Sequence, residues 1–268
     1  MTSQGFSDVG YIDTIAAGDS PLHRIDPRAK LITTAAFIAT VVSFNKYAVL
    51  GLVPFFSFPI ILILLGRIPA GYILRKLLLI LPFAILVGIF NPIFDRAIIY
   101  HIGPVGISGG WISFISILLR FVLTVTSALA LVALTGFNSV CLALERFKVP
   151  SPFIVQLMFL YRYMFVLTEE SERMVRARAV RSFSGRTMHF KTFVSLIGHL
   201  LLRTLDRAER VYRAMCCRGF NGDIRILRSL RISLKDIVFV IIWVVLFISF
   251  RFWDAPLKLG ELVMGIFP

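Results

Sequence analysis

Negative charge is the scarcest resource of this chain. Only 15 Asp and Glu stand against 29 Lys and Arg, and charged residues of both signs make up 16% of the sequence. Soluble domains carry about a quarter charged residues, so an ordinary water-soluble enzyme is excluded. Cysteine is nearly absent as well: Cys141, Cys216 and Cys217 form an odd set without C-x-x-C spacing, which excludes a disulfide framework and a thiolate metal knot. The four histidines, His23, His101, His189 and His199, are dispersed, and no two fall at i,i+4. They read as structural or surface residues. There is no G-x-x-x-x-G-K-[ST] phosphate loop. Gly103, Gly106, Gly109 and Gly110 match one in composition only and read as an external turn. No Ser-His-Asp set can be assembled. The first apolar run is preceded by Asp8, Asp13 and Asp19, which is not the pattern of a cleavable signal.

What the chain does have is apolar surface, 57% of its residues and a mean hydropathy of +0.84. Apolar runs cover Leu31 to Phe44, Ala48 to Leu65, Leu77 to Phe94, Trp111 to Phe137 and Leu234 to Phe250. With flanking residues each approaches the roughly 20 needed to span a bilayer. Asp26-Pro27 reads as the start of the first helix, with Asp at the cap and Pro at the first position. Pro54 and Pro59 predict a kink in the second run. Arg120 lies inside the fourth, where it either snorkels to the surface or contacts a neighbouring helix.

Lys and Arg beside spans mark the cytoplasmic side. Arg24, Arg28 and Lys30 place the N-terminus inside, and the loop holding Arg67, Arg75 and Lys76 is inside too. Residues 45–47 and 95–110 then face outward. Phe153 to Leu167 is short, contains Gln156 and Arg162, and has basic flanks; it is expected to lie in the membrane plane. The fold expected is an all-α membrane protein of about five transmembrane helices, with cytoplasmic amphipathic helices before the last span. Six spans is the alternative. The corresponding divisions are 1–137, 138–233 and 234–268.

The excess positive charge concentrates in one place. From Arg162 to Arg231 there are fourteen Arg and one Lys against six acids. Within it a fourteen-residue stretch occurs twice, 37 positions apart: Glu172 to Gly185 and Glu209 to Gly222 agree at seven positions. Glu169 with Arg173, Glu172 with Arg176, Asp206 with Arg210 and Glu209 with Arg213 are acid-first i,i+4 pairs, worth about 0.2–0.5 kcal/mol each to a helix. Arg181 and Arg218 have Ala177 and Ala214 at i−4 instead. Each is followed by a small residue, Ser182 or Gly219, then Phe183 or Phe220, and then Gly185 or Gly222, natural helix-ending positions. The helix macrodipole alone would favour one such cation, but not a matched pair that keeps the Phe and the Gly. The pattern therefore reads as two helix tips, each offering a guanidinium to the carboxylates or carbonyls of another chain. Anionic lipid or an acidic protein groove would suit this region. Nucleic acid is not expected, because no reader motif is present.

Ser20-Pro-Leu-His-Arg-Ile-Asp-Pro-Arg-Ala-Lys30 and Ala-Met-Cys-Cys-Arg-Gly-Phe at 214–220 resemble the transmembrane T component of energy-coupling factor (ECF) transporters. Leu-Val-Gly-Ile-Phe-Asn-Pro at 86–92 and Phe159-Leu-Tyr-Arg-Tyr163 are similar to its cobalt branch, CbiQ. The resemblance implies two arginine triplets on coupling helices, Val180-Arg181-Ser182 and Cys217-Arg218-Gly219, with Arg178 a rival for the first. It implies a non-catalytic, multi-pass subunit of the cell inner membrane with a cytoplasmic N-terminus. Two cytoplasmic ABC ATPases would hydrolyse ATP, and a substrate-binding (S) membrane subunit would capture the metal ion, cobalt for cobalamin biosynthesis. No cofactor, metal site or catalytic residue is then expected in this chain. A nickel importer or a shared vitamin importer is the alternative within the family, and a membrane-embedded enzyme acting on lipid is the alternative outside it.

Overall fold

A computed structural model describes residues 13–46, 48–94, 98–102, 105–181, 190–220, 222 and 233–252. The helices are α1 (Pro27–Val42), α2 (Ser57–Gly66), α3 (Ala70–Gly88), α4 (Phe90–Phe94), α5 (Gly109–Thr135), α6 (Phe137–Arg146), α7 (Ser151–Arg181), α8 (Phe190–Cys217) and α9 (Leu234–Phe252). A 3-10 segment, Leu50–Phe56, precedes α2, and an antiparallel hairpin of β1 (Ile98–Ile102) and β2 (Val105–Ser108) precedes α5. The protein is an all-α membrane protein carrying this one short hairpin among the described residues. The chain divides into two compact units, Tyr11–Val140 with Leu230–Pro268, and Met1–Gly10 with Cys141–Ser229.

The first unit is built on α1, α2, α5 and α9. Helix α1 starts where the sequence places it: the Asp26 carboxylate accepts the Arg28 N–H at 2.8 Å, and Pro27 occupies the first helical position. The proline-rich second run breaks as expected. Its first half is the 3-10 segment containing Pro54, and α2 follows, ending at Arg67 with φ 50°. Phe37, Phe55, Phe58 and Phe247 are buried around Trp243, with Phe37 and Phe58 centroids 4.6 Å apart and Phe58 edge-on to Trp243 at 4.8 Å. Small residues let the helices approach, as membrane packing requires. A Cβ on Gly66 would lie 2.6 Å from Leu134 Cδ2, and one on Gly88 would lie 2.8 Å from the Phe114 ring. Leu79, Leu64 and Phe83 remain exposed, as lipid-facing side chains should.

Three elements depart from expectation. Arg75 and Lys76 are not in a loop; they lie inside α3, and the Lys76 ammonium sits 5.7 Å from the Tyr72 ring centroid one turn back. Gly109 and Gly110 open α5, so only part of the glycine-rich stretch is turn. Phe153 to Leu167 is not a separate short helix. It is the first half of the 31-residue α7, which has the length and composition to cross a membrane, as do Ala70–Pro92 and Gly109–Thr135. An uninterrupted i,i+4 ladder through Thr168, with no Pro or Gly between Phe153 and Arg181, fuses the apolar half to the charged half.

Arg120 contacts a neighbouring loop: its guanidinium donates to the Asn45 carbonyl. From α9, Arg251 donates to the Ser43 carbonyl at 3.1 Å and stacks 4.3 Å from the Phe44 ring centroid. Two guanidiniums thus tie the chain just beyond the C-terminus of α1, where the Asn45 carbonyl also accepts the Ala48 N–H at 3.0 Å.

Candidate functional site

The second unit holds the duplicated stretch. Its first copy forms the charged half of α7, and its second closes α8. Glu169 pairs with Arg173 at 2.5 Å, Glu172 with Arg176 at 3.8 Å, and Glu209 with Arg213 at 2.5 Å. Asp206 and Arg210 do not make the fourth expected pair. The contacts that form are mostly exposed and contribute at most about 1 kcal/mol each. A further bridge escaped the sequence reading: Arg203 of α8 meets Glu170 of α7 at 2.6 Å. Glu170 has Met174 at i+4, so it was the acid of α7 left without a partner on its own helix.

Each helix delivers an arginine at its C-terminal end. Arg181 is the last described residue of α7, with Arg178 one turn earlier, and Arg218 directly follows α8. Arg181 and Arg218 are exposed and Arg178 is half-buried. None of the three pairs with a carboxylate among the described residues. Ser182, Phe183 and Gly185 lie outside the described residues.

The end of α8 is a Schellman turn. Gly219 N–H donates to the Cys216 carbonyl and Phe220 N–H reaches back to the Met215 carbonyl, both at 3.0 Å, the paired bonds that define this cap. Gly219 takes φ +81°, a left-handed value that side chains disfavour. The terminating glycine is thus Gly219, three residues before the expected Gly222, because it is the first residue after Arg218 free to turn left-handed. The two tips are not equivalent here, since the first copy has Ser182 at the matching position.

The turn separates the side chains it carries. Arg218 and Gly219 face outward, and a Cβ on Gly219 would meet nothing within 4 Å. Phe220 instead folds back, half-buried, into a cleft of about 880 Å³ between α7 and α8, lined also by Phe159, Tyr163, Leu167, Val211 and Met215. The ring therefore secures the turn from within. Cys216 and Cys217, beside Arg218, are free and exposed, whereas Cys141 is buried. Hydrogen bonding to the Cys216 thiol pushes the Tyr212 phenol above its usual range. Among the described residues no cluster of three or more His, Cys, Asp or Glu could hold a metal ion.

Residues 18–228 match the family model described as cobalt transport protein, CbiQ. The chain is 31% identical over 234 residues to the energy-coupling factor transporter transmembrane protein EcfT of Bacillus subtilis, covering 80% of this chain and 86% of that one. It is 30% identical over 259 residues to the EcfT of Heliobacterium modesticaldum, covering 89% and 95%. An uncharacterized protein of Methanocaldococcus jannaschii is 30% identical over 235 residues, covering 84% and 80%. A match spanning most of the chain, on a membrane fold with these paired arginine tips, makes the chain a member of the CbiQ family, the transmembrane T components of ECF transporters.

Proposed function

We propose that the chain is the coupling subunit of a cobalt importer in the cell inner membrane, with its N-terminus cytoplasmic. Arg181 and Arg218 dock into two cytoplasmic ABC ATPases, which hydrolyse ATP. ATP-driven closure displaces α7 and α8, and the displacement reaches a substrate-binding membrane subunit that captures the metal ion. The chain itself catalyses nothing. The observation that carries this reading is that both matched arginines are exposed, Arg181 at the described end of α7 and Arg218 at the end of α8, with no described carboxylate beside them. A guanidinium fork left open in this way suits a carboxylate-lined groove. Ser182 and Gly219 keep the approach narrow, and Phe183 and Phe220 support the tips, with Arg178 flanking the first. The family description as a cobalt transport protein supports the cargo. The relatives named EcfT carry no metal in their names, which leaves as second reading the T component of a nickel importer or of a shared vitamin importer.

The test is charge reversal at both tips. Each hydrogen bond to a charged group contributes about 1.5–3 kcal/mol, so Arg181→Glu with Arg218→Glu should weaken ATPase association by roughly a hundredfold or more. Uptake of radiolabelled Co2+ should vanish while the protein still reaches the membrane. Normal transport by the double variant would end the docking reading.

A further inference from the structure

Lys30 and Asp236 are charged yet each only 5% exposed. Buried charges are costly unless fully hydrogen-bonded, so their partners show what they are kept for. The Lys30 ammonium donates to the Leu134 carbonyl at 3.1 Å and lies 3.4 Å from the His23 carbonyl. Leu134 is in the last turn of α5, whose carbonyls lack helical partners and whose dipole favours a cation. The Asp236 carboxylate works at the opposite kind of helix end. One oxygen accepts the Ser233 N–H at 2.7 Å at the start of its own helix α9, one half of a capping box. The other accepts the Asp26 N–H at 2.9 Å, at the cap of α1. Asp26 in turn holds the Arg28 N–H. One five-residue segment, Asp26 to Lys30, therefore fastens the end of α5 and the beginning of α9.

Those two places are where the chain leaves and re-enters this unit. It passes out after Val140, six residues beyond Leu134, and returns at Leu230, three residues before Ser233. Everything between is the unit that bears Arg181 and Arg218. We infer that Asp26, Lys30 and Asp236 form a clamp that holds both covalent roots of the coupling region to the membrane core. They are positioning residues: they carry displacement from the coupling helices into the core instead of letting the connections absorb it. This inference rests on the coupling role proposed above. A neutral hydrophobic joint of the same volume could be as stable, but it would lack the directional bonds that oppose sliding of one helix end past another.

The experiment uses the whole complex reconstituted in vesicles, with Lys30→Met, Asp236→Asn and the conservative Lys30→Arg. The readout is Co2+ taken up per ATP hydrolysed, together with ATPase co-purification and Tm. The clamp variants should keep their ATPases, unlike the Arg181 and Arg218 reversals, while uptake per ATP falls by about tenfold, the order expected from one lost charge-assisted bond. Lys30→Arg should recover most of the ratio. Should the wild-type complex take up no Co2+, the cargo reading fails, and the clamp is then judged by spin labels at Asn138→Cys and Leu79→Cys, both exposed and both within this unit, in a background without the native thiols. Their distance distribution should be narrow with Lys30 and broad with Lys30→Met while ATPases stay bound. An unchanged uptake ratio or an unchanged distribution overturns the inference. So does a loss of Tm and membrane yield with normal coupling in the protein that remains, or failure of both variants to reach the membrane, since the clamp would then serve folding alone.

Discussion

Replacing Gly219 with Ala tests whether the shape of the second tip, and not only its charge, matters. The backbone there sits at φ +81°, and a Cβ would touch nothing within 4 Å. Any penalty must therefore come from conformation and not from crowding. An L-residue in the left-handed region costs about 1–2 kcal/mol. Against that stand the two bonds of the Schellman turn, at a net 0.5–1.5 kcal/mol each. The balance is close, so Ala lets α8 continue and swings Arg218 and Phe220 onto new bearings. A cost of 1–2 kcal/mol corresponds to a factor of about 5–30 in the population of the native turn, and apparent affinity falls with that population. Titration of the purified chain with its ATPases should show Gly219→Ala weaker by up to that factor. Gly219→Asn, which tolerates left-handed geometry, should stay within about twofold. Equal affinities for Gly, Ala and Asn, or equal losses for Ala and Asn, would refute the argument.

A maleimide should label Cys216 and Cys217 and leave the buried Cys141 unreacted, and bound ATPases should protect the first two; labelling at the same rate in the complex would place the docking surface elsewhere. In the N-terminal segment His23 Nε2 donates to the Ile15 carbonyl at 3.0 Å, and Nδ1 lies 2.6 Å from Ser20 Oγ, which donates to it when the ring is neutral. Burial lowers its pKa; the stability it lends is complete above the unfolded value of about 6.5 and is lost as pH falls through the lowered folded value. Tm between pH 8 and pH 5 should therefore drop more for the wild type than for His23→Gln, and identical slopes would contradict the assignment. Gly66→Val should cost about 1–3 kcal/mol by overpacking against Leu134, and Leu134→Ala in the same chain should recover part of it; additive losses in thermal unfolding would show that the two do not meet.

Local signals in the sequence carried far. Asp26-Pro27 announced a helix start because a cap and its first turn are neighbours in the chain, and the structure places both as expected. The arginines at 181 and 218 are located by an internal repeat, and both are exposed, Arg181 as the last described residue of α7 and Arg218 directly after α8. Signals between distant residues were invisible. Lys30 and Leu134 are 104 positions apart, and Asp26 and Asp236 are 210 apart. A lysine beside a span reads as a topology marker until the carbonyl it caps is known. The length of α7 was misjudged for a related reason. Basic flanks and the polar Gln156 and Arg162 make Phe153 to Leu167 look like a short in-plane segment, but helices end through caps and backbone breaks, and none intervenes before Arg181. Arg120 could be read only as one of two cases, because its acceptor, the Asn45 carbonyl, belongs to a loop with no side-chain signature.

The two units use cations in opposite ways, and the contrast bears on where function resides. In the membrane core Lys30 and Arg251 each reach a backbone carbonyl near the end of another helix, and Arg120 reaches the loop after α1. A buried carbonyl left unsatisfied is costly, so Lys30 is committed to Leu134, while the contacts of Arg120 and Arg251 are exposed and tie the chain beyond α1. In the coupling unit no such need exists, because water can satisfy an exposed helix end. A cation there gains about 0.3–1 kcal/mol from the dipole, and any Lys or Arg in the last turn would collect it. That gain does not account for arginine at the same offset in both copies, nor for a Schellman turn that spends its one left-handed residue on leaving Arg218 outward and folding Phe220 inward. A surface tuned only for stability would be indifferent to which way the guanidinium points. Here the Schellman turn fixes where the Arg218 side chain starts, and the docking proposed above would use that placement.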